Sequence, residues 1–180
     1  LAAVGLLLLT INAMRLPETL HSSQAQPFRT RPLLAGYWQL GADPRFFALC
    51  LASGVPFNGM FLYVLSAPAW LGGHLRLAPT EFFWFFILSV GGIMLGAWLS
   101  GRFAGRVPPR QQIRRGLNVM VLATLANLAL NIALPVPHWA WALPPVAMFS
   151  FGWALMVPAV TIKVLDLVPD RRGMASSLQA

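Results

Sequence analysis

Residues 81–101 read EFFWFFILSVGGIMLGAWLSG, and residues 102–116, which follow, read RFAGRVPPRQQIRRG. After Glu81 the first segment carries no charge. In a helix rising 1.5 Å per residue, about twenty apolar residues cross the roughly 30 Å hydrocarbon core of a bilayer. The second segment holds Arg102, Arg106, Arg110, Arg114 and Arg115 and no acid. An uncharged run ending on a block of arginine has the form of a membrane span at the face where basic loops are retained.

Outward from this stretch the same pattern repeats. Apolar runs at about 46–70, 117–135 and 139–162 complete a set of four with 81–101. Arg15, Arg29, Arg31 and Arg45 precede the first run, and Lys163, Arg171 and Arg172 follow the last. The connectors on the opposite side hold only Arg76, so twelve of the thirteen Lys and Arg residues share one side. That asymmetry places the basic connectors in the cytoplasm. The runs are continuous rather than alternating, which selects helices over barrel strands. The chain is 57% hydrophobic and 10% charged, whereas a soluble domain carries about a quarter charged residues. The net charge of +8 does not indicate nucleic acid, because three connectors separated by spans share the cations. Anionic headgroups explain them better. The single cysteine, Cys50, excludes an internal disulfide and a cysteine-rich metal site.

The expected organisation has three parts: the end of a membrane helix at 1–14, a cytoplasmic connector at 15–45, and a transmembrane portion at 46–180, with a further span beginning at 173–180. Leu1–Met14 is too short to span and lacks the basic start and cleavage site of a signal peptide. The connector holds Pro17, Pro27, Pro32 and Pro44. Its length suits a link between two halves of a bundle. Within it, Leu33–Leu40 can form a short interfacial helix with Tyr37 and Trp38 at headgroup level. The chain is therefore expected to be an internal portion of a longer protein.

No span carries paired carboxylates, a His-Glu pair at helical spacing or a Ser-His-Asp set, and His21, His74 and His138 lie in separate connectors. No catalytic residue, metal site or enzyme activity is expected from such a set. Other features carry more. Asn58 lies in the Pro56–Gly59 segment, where a bent polar stretch can line a substrate cavity or simply bond to a neighbouring helix; both readings stand. Gly92, Gly96 and Ser100 form a small-residue stripe suited to helix packing. Asn127 and Asn131 share a face and suit interhelical hydrogen bonds. The aromatic cluster Phe82–Phe86 points all round its helix and is mostly lipid-facing. Glu81 suits a helix start, with a proton relay as the sharper alternative. The basic loop either holds topology or locks two bundles by ionic contacts.

Three stretches carry a resemblance: Leu16-Pro-Glu-Thr-Leu20, Gly59–Pro68 (GMFLYVLSAP) and the Gly- and Arg-rich segment Gly96–Gly116. Together they are similar to the major facilitator superfamily, most like its bicyclomycin-resistance (Bcr/CflA) drug-efflux branch. The resemblance covers essentially the whole chain, from the sixth helix to the start of the eleventh. It implies an all-α polytopic membrane protein, the C-terminal half of a twelve-helix fold. It also implies secondary active transport by alternating access, as proton-coupled antiport exporting small amphipathic drug-like compounds, hence multidrug resistance. Phe57, Asn58, Phe61, Tyr63 and Trp153 become substrate-cavity candidates, and their apolar, aromatic character suits hydrophobic ligands better than sugars. Only Arg102 and Arg106 carry over as gating cations, because the Asp of the family's loop motif is absent here. No cofactor is implied beyond the proton gradient. The implied partners are a small-molecule substrate, the lipid bilayer of a bacterial inner membrane and a missing N-terminal half of the same polypeptide. No nucleic acid is implied. None of the four complete spans has an acid at its centre, so a proton-coupling carboxylate is expected in the missing half. The alternatives are import of a sugar or organic anion, and, further off, a membrane-embedded enzyme or scaffold.

Overall fold

A computed structural model describes residues 2–15, 30–134, 136 and 138–179. Leu16–Leu20, His21, Arg29 and Pro135 lie outside the described residues, and with them nearly half of the 15–45 connector. The chain divides into two compact units, Leu1–Ala35 and Gly36–Ala180. The first contributes helix α1 (Ala2–Arg15), none of whose residues is buried, and the opening turns of α2 (Thr30–Gly41).

The second unit is a helical bundle. After α2 come α3 (Pro44–Ala67), α4 (Phe83–Phe103), α5 (Pro109–Ala133), α6 (Trp139–Leu167) and α7 (Arg172–Gln179). Among the described residues four segments are long and apolar enough to cross a membrane: Pro44–His74, Pro79–Phe103, Pro109–Ala133 and Trp139–Leu167. Each meets the length requirement of a bilayer span. The protein is thus an all-α, multi-pass membrane protein, as the hydropathy pattern predicts.

Three boundaries differ from that pattern. The third span starts at Pro109 rather than Leu117. Hydropathy assigns Arg110–Gly116 to a loop, but two amphipathic turns of helix form there. Pro109 supplies the fixed φ of a first helical residue, Gln112 and Gly116 face inward, and Arg110, Arg114 and Arg115 face out. The first span does not stop at Trp70. It continues through a π-helical segment, Pro68–His74, in which the Leu75 amide bonds back to the Trp70 carbonyl at 2.9 Å. This wider turn buries Leu71 completely. The fourth span runs on to Leu167, which carries Lys163 on the helix. Two further details concern α2 and Glu81. A short helix is present where the sequence suggests one, and it is longer than Leu33–Leu40, because Thr30–Pro32 and Gly41 join it. The Glu81 carboxylate accepts from the Ala78 amide at 2.9 Å, so it caps the turn that leads into α4.

Helix α6 is the spine. Half of its most apolar window is buried, against 6% for α3 and 17% each for α4 and α5. Small residues let the others approach it. The buried stripe of α4 is Phe85, Ser89, Gly92, Gly96 and Ser100. A Cβ at Gly92 or Gly96 would press on the carbonyl oxygens of Ala147 and Phe151 in α6. Across the other face, a Cβ on Gly116 would meet the Gly152 carbonyl oxygen at 2.6 Å, and one on Gly152 the Gly116 carbonyl oxygen at 2.8 Å. Such close backbone contact substitutes dispersion for the hydrophobic drive that lipid removes. Two apolar clusters close the ends of the bundle. Leu71, Phe85 and Leu143 pack at the end remote from the arginines, while Phe46, Met156, Val160 and Val164 pack at the basic end.

Candidate functional site

Pro56 removes one backbone hydrogen bond from the middle of α3, and Pro158 does the same in α6. In a bilayer such loosened carbonyls need partners from neighbouring helices. At each turn a neighbouring helix donates to the carbonyl three residues before the proline, next to the carbonyl that loses its own amide donor. The Trp153 indole N–H of α6 donates to the Ser53 carbonyl of α3 at 3.0 Å. The Gln112 amide of α5 donates to the Leu155 carbonyl of α6 at 2.8 Å and to the Ser100 hydroxyl of α4 at 2.7 Å. Gln112 and Ser100 are each 4% exposed, so this polar junction of three helices is dry. Among the described residues no buried side-chain nitrogen or oxygen is left without a partner.

The first junction carries an aromatic wall. Phe57 stacks on Phe61 with centroids 5.9 Å apart and lies 5.4 Å from Trp153. Phe57 and Trp153 line an open cavity of about 290 Å³, together with Ser53, Thr161, Ser176 and Gln179. The Gln179 amide donates to the Thr161 hydroxyl at 3.2 Å across it. No charged side chain lines the cavity. What it offers a ligand is aromatic faces and neutral hydrogen-bonding groups. Among the described residues no group of three His, Cys, Asp or Glu can hold a metal ion.

A family model described as Major Facilitator Superfamily matches residues 1–180. The chain belongs to the major facilitator superfamily. Over 173 residues it is 26% identical to a Bacillus subtilis (strain 168) protein described as an uncharacterized MFS-type transporter, YdgK. The match covers 96% of this chain and 42% of that relative, so the chain spans less than half the relative's length. No solved structure matches the chain. Membership points to a transporter rather than an enzyme.

The five cavity candidates of this facilitator chain fall into separate groups. Phe57, Phe61 and Trp153 come together. Asn58 stands one face away on α3, exposed, with its amide donated to the Gly54 carbonyl of its own helix at 2.9 Å. Tyr63 lies further along α3. Its hydroxyl accepts from the Asn127 amide of α5 at 3.1 Å, and its ring meets Trp70 edge-on at 5.2 Å. Tyr63 and Asn127 line a second cavity of about 180 Å³ with Met60, Thr124 and Phe149. Asn131 does not reach another helix; its amide returns to the Asn127 carbonyl at 2.7 Å. Of the two arginines singled out at the basic end, Arg102 lies over the Trp98 ring at 4.3 Å. Arg106 lies in the α4–α5 turn beside Gly105, whose φ of 72° is one that glycine adopts without strain. Ser53, Thr161, Gln179 and Gln112 are the functional candidates that sequence reasoning passed over. Pro56 and Pro158 were the available signal for Ser53 and Gln112, since an interrupted turn draws polar partners from neighbouring helices; Thr161 and Gln179 carried none.

Proposed function

We propose that the chain forms the C-terminal half of a secondary active transporter. The intact protein works by alternating access and exports small, amphipathic, drug-like compounds in exchange for protons. The observation that carries this reading is the uncharged aromatic wall of Phe57, Phe61 and Trp153 at the Pro56 turn of α3. Substrate sites in such transporters form at interrupted helices near the midplane, between two halves. A wall of aromatic faces binds apolar and delocalised cationic compounds through dispersion and cation–π attraction. The sequence likeness at Gly59–Pro68 and Gly96–Gly116 supports the bicyclomycin-resistance branch, with Arg102 and Arg106 acting at the cytoplasmic gate. The arginine asymmetry supports a bacterial inner membrane with the basic loops in the cytoplasm.

Proton coupling falls to a carboxylate in the N-terminal half. The acids of the four spans stand near helix ends: Asp43 accepts from the Arg45 amide at 2.8 Å, Glu81 caps a turn, and Asp166 pairs with Arg172 at 3.9 Å. Midplane titration, which would link proton and substrate occupancy, therefore has no acid in them. A second reading, import of a neutral sugar, draws on the Gln179–Thr161 pair beside Trp153.

Expression of the intact protein in a drug-hypersensitive strain separates the two. We expect several-fold higher tolerance to more than one amphipathic compound, abolished by a protonophore. Phe57→Ala should lower tolerance to the larger aromatic compounds while leaving the amount of protein in the membrane unchanged. Sugar or organic-anion uptake with no drug phenotype would replace efflux with import.

A further inference from the structure

Beyond the substrate path, one groove at the basic end of the bundle is unaccounted for. It is about 660 Å³ in volume and runs between the ends of α4 and α6 and the α4–α5 turn. Ala97, Ala104, Val107, Pro158 and Ile162 give it apolar walls, and the exposed Arg106 is part of its lining. The polar side chains in its wall, Ser100 and Gln112, are already bonded to each other and to the Leu155 carbonyl. The groove therefore presents an apolar trough with one exposed cation in its lining.

Cations outnumber acids along the chain that forms it. Between Glu81 and Asp166 the sequence holds five arginines and one lysine but no acid. Among the described residues the one ion pair is Arg172 with Asp166, at 3.9 Å. Arg106 lies in the α4–α5 turn, four residues beyond Arg102 where the uncharged run of α4 ends, a position that matches the headgroup region. Basic pockets between membrane helices at this level bind anionic headgroups. A free anion would use Arg106 and leave the trough empty. A diacyl lipid would use both, with phosphate on the guanidinium and a chain along the trough.

We propose that this groove is a binding site for an anionic diacyl phospholipid. Arg106 holds the headgroup phosphate, and one acyl chain lies against α4 and α6. The site shares Arg106 with the proposed cytoplasmic gate, but it does not depend on which solute is carried. A ligand that binds only the folded state raises its thermal stability by mass action. The test is the melting temperature of the purified intact protein in neutral detergent. Phosphatidylglycerol, phosphatidylcholine with the same chains, and inorganic phosphate are titrated in turn. Phosphatidylglycerol is expected to raise Tm by several degrees, and the other two to have little effect. Arg106→Gln should lose about half of that shift or more, one headgroup cation being a substantial part of such binding. Ala104→Phe, which fills the trough from its exposed rim, should lose it as well. Arg114→Gln, an equal loss of charge outside the groove, should keep it.

Three results would overturn the proposal. Equal shifts from the two lipids would remove the need for an anion. Equal losses in Arg106→Gln and Arg114→Gln would mean diffuse surface charge rather than a site. A lower Tm for Arg106→Gln without lipid, together with no response to phosphatidylglycerol, would give the groove to an acidic segment of the protein itself.

Discussion

Gly92→Ala combined with Gly96→Ala is expected to destabilise the protein by about 2–3 kcal/mol, the range for overpacking a rigid contact. Gly91→Ala should be neutral, or stabilising by up to about 1 kcal/mol through helix propensity. The three glycines share one turn and a half of α4 and an equally apolar sequence context, so composition does not distinguish them. Their surroundings do. The added methyls at positions 92 and 96 meet the backbone carbonyls of Ala147 and Phe151, which no rotamer change can move aside. At Gly91 nothing lies within 4 Å. The helices would have to separate, and α4 would lose contact with α6 along its whole buried stripe. Denaturant-driven unfolding of the purified intact protein in mixed micelles reads the difference. Equal behaviour of the Gly91 and Gly92 variants would contradict the packing described.

Gln112→Leu should cost about 1–2 kcal/mol, and Ser100→Ala clearly less. The Leu side chain fills a similar volume but leaves two partners behind. A buried polar group stripped of its hydrogen bond costs about 1–3 kcal/mol, and measured values within membranes fall toward the low end. In Ser100→Ala the Gln112 amide keeps its bond to the Leu155 carbonyl, so one of its two partners stays satisfied. The double variant should cost little more than Gln112→Leu alone, because the two residues share one bond. Simple additivity in that cycle would show that the 2.7 Å contact between Gln112 and Ser100 contributes nothing to stability.

Much of the architecture is legible in the residue string, for a physical reason. Lipid requires long apolar helices and charge asymmetry, and both are written locally. The stripe of Gly92, Gly96 and Ser100 is also local, because residues at intervals of four share a helix face. The start of α5 is harder to read. Average hydropathy is low across Arg110–Gly116, yet an inward face at Gln112, Gly116, Met120 and Ala123 repeats at helical spacing through the arginines. A period-sensitive reading that began from Pro109 could have found it. The grouping of cavity candidates was not legible. Phe57, Asn58, Phe61 and Tyr63 lie within two turns of one helix, and only the rotation and tilt of α3 against α6 decide which of them meets Trp153. Hydrogen bonds beside the proline turns are likewise long-range: Ser53 and Trp153 stand 100 residues apart in the chain.

The central claim is that the face of α3 and α6 around Phe57 lines a water-accessible substrate path, while the outer face of α5 meets lipid. Single cysteines test it most directly. In the intact protein with Cys50 and any other native cysteine replaced by Ala, Phe57→Cys and Thr161→Cys are made in turn, with Leu125→Cys on the exposed face of α5 as reference. Each is exposed in native membranes to a hydrophilic, membrane-impermeant thiol reagent. The account predicts modification of Phe57→Cys and Thr161→Cys, slowed by a transported compound, and no reaction at Leu125→Cys. Phe57→Cys as inert as Leu125→Cys would place that face in lipid or in a closed packing surface, and would contradict the reading of this bundle as one wall of a transport cavity.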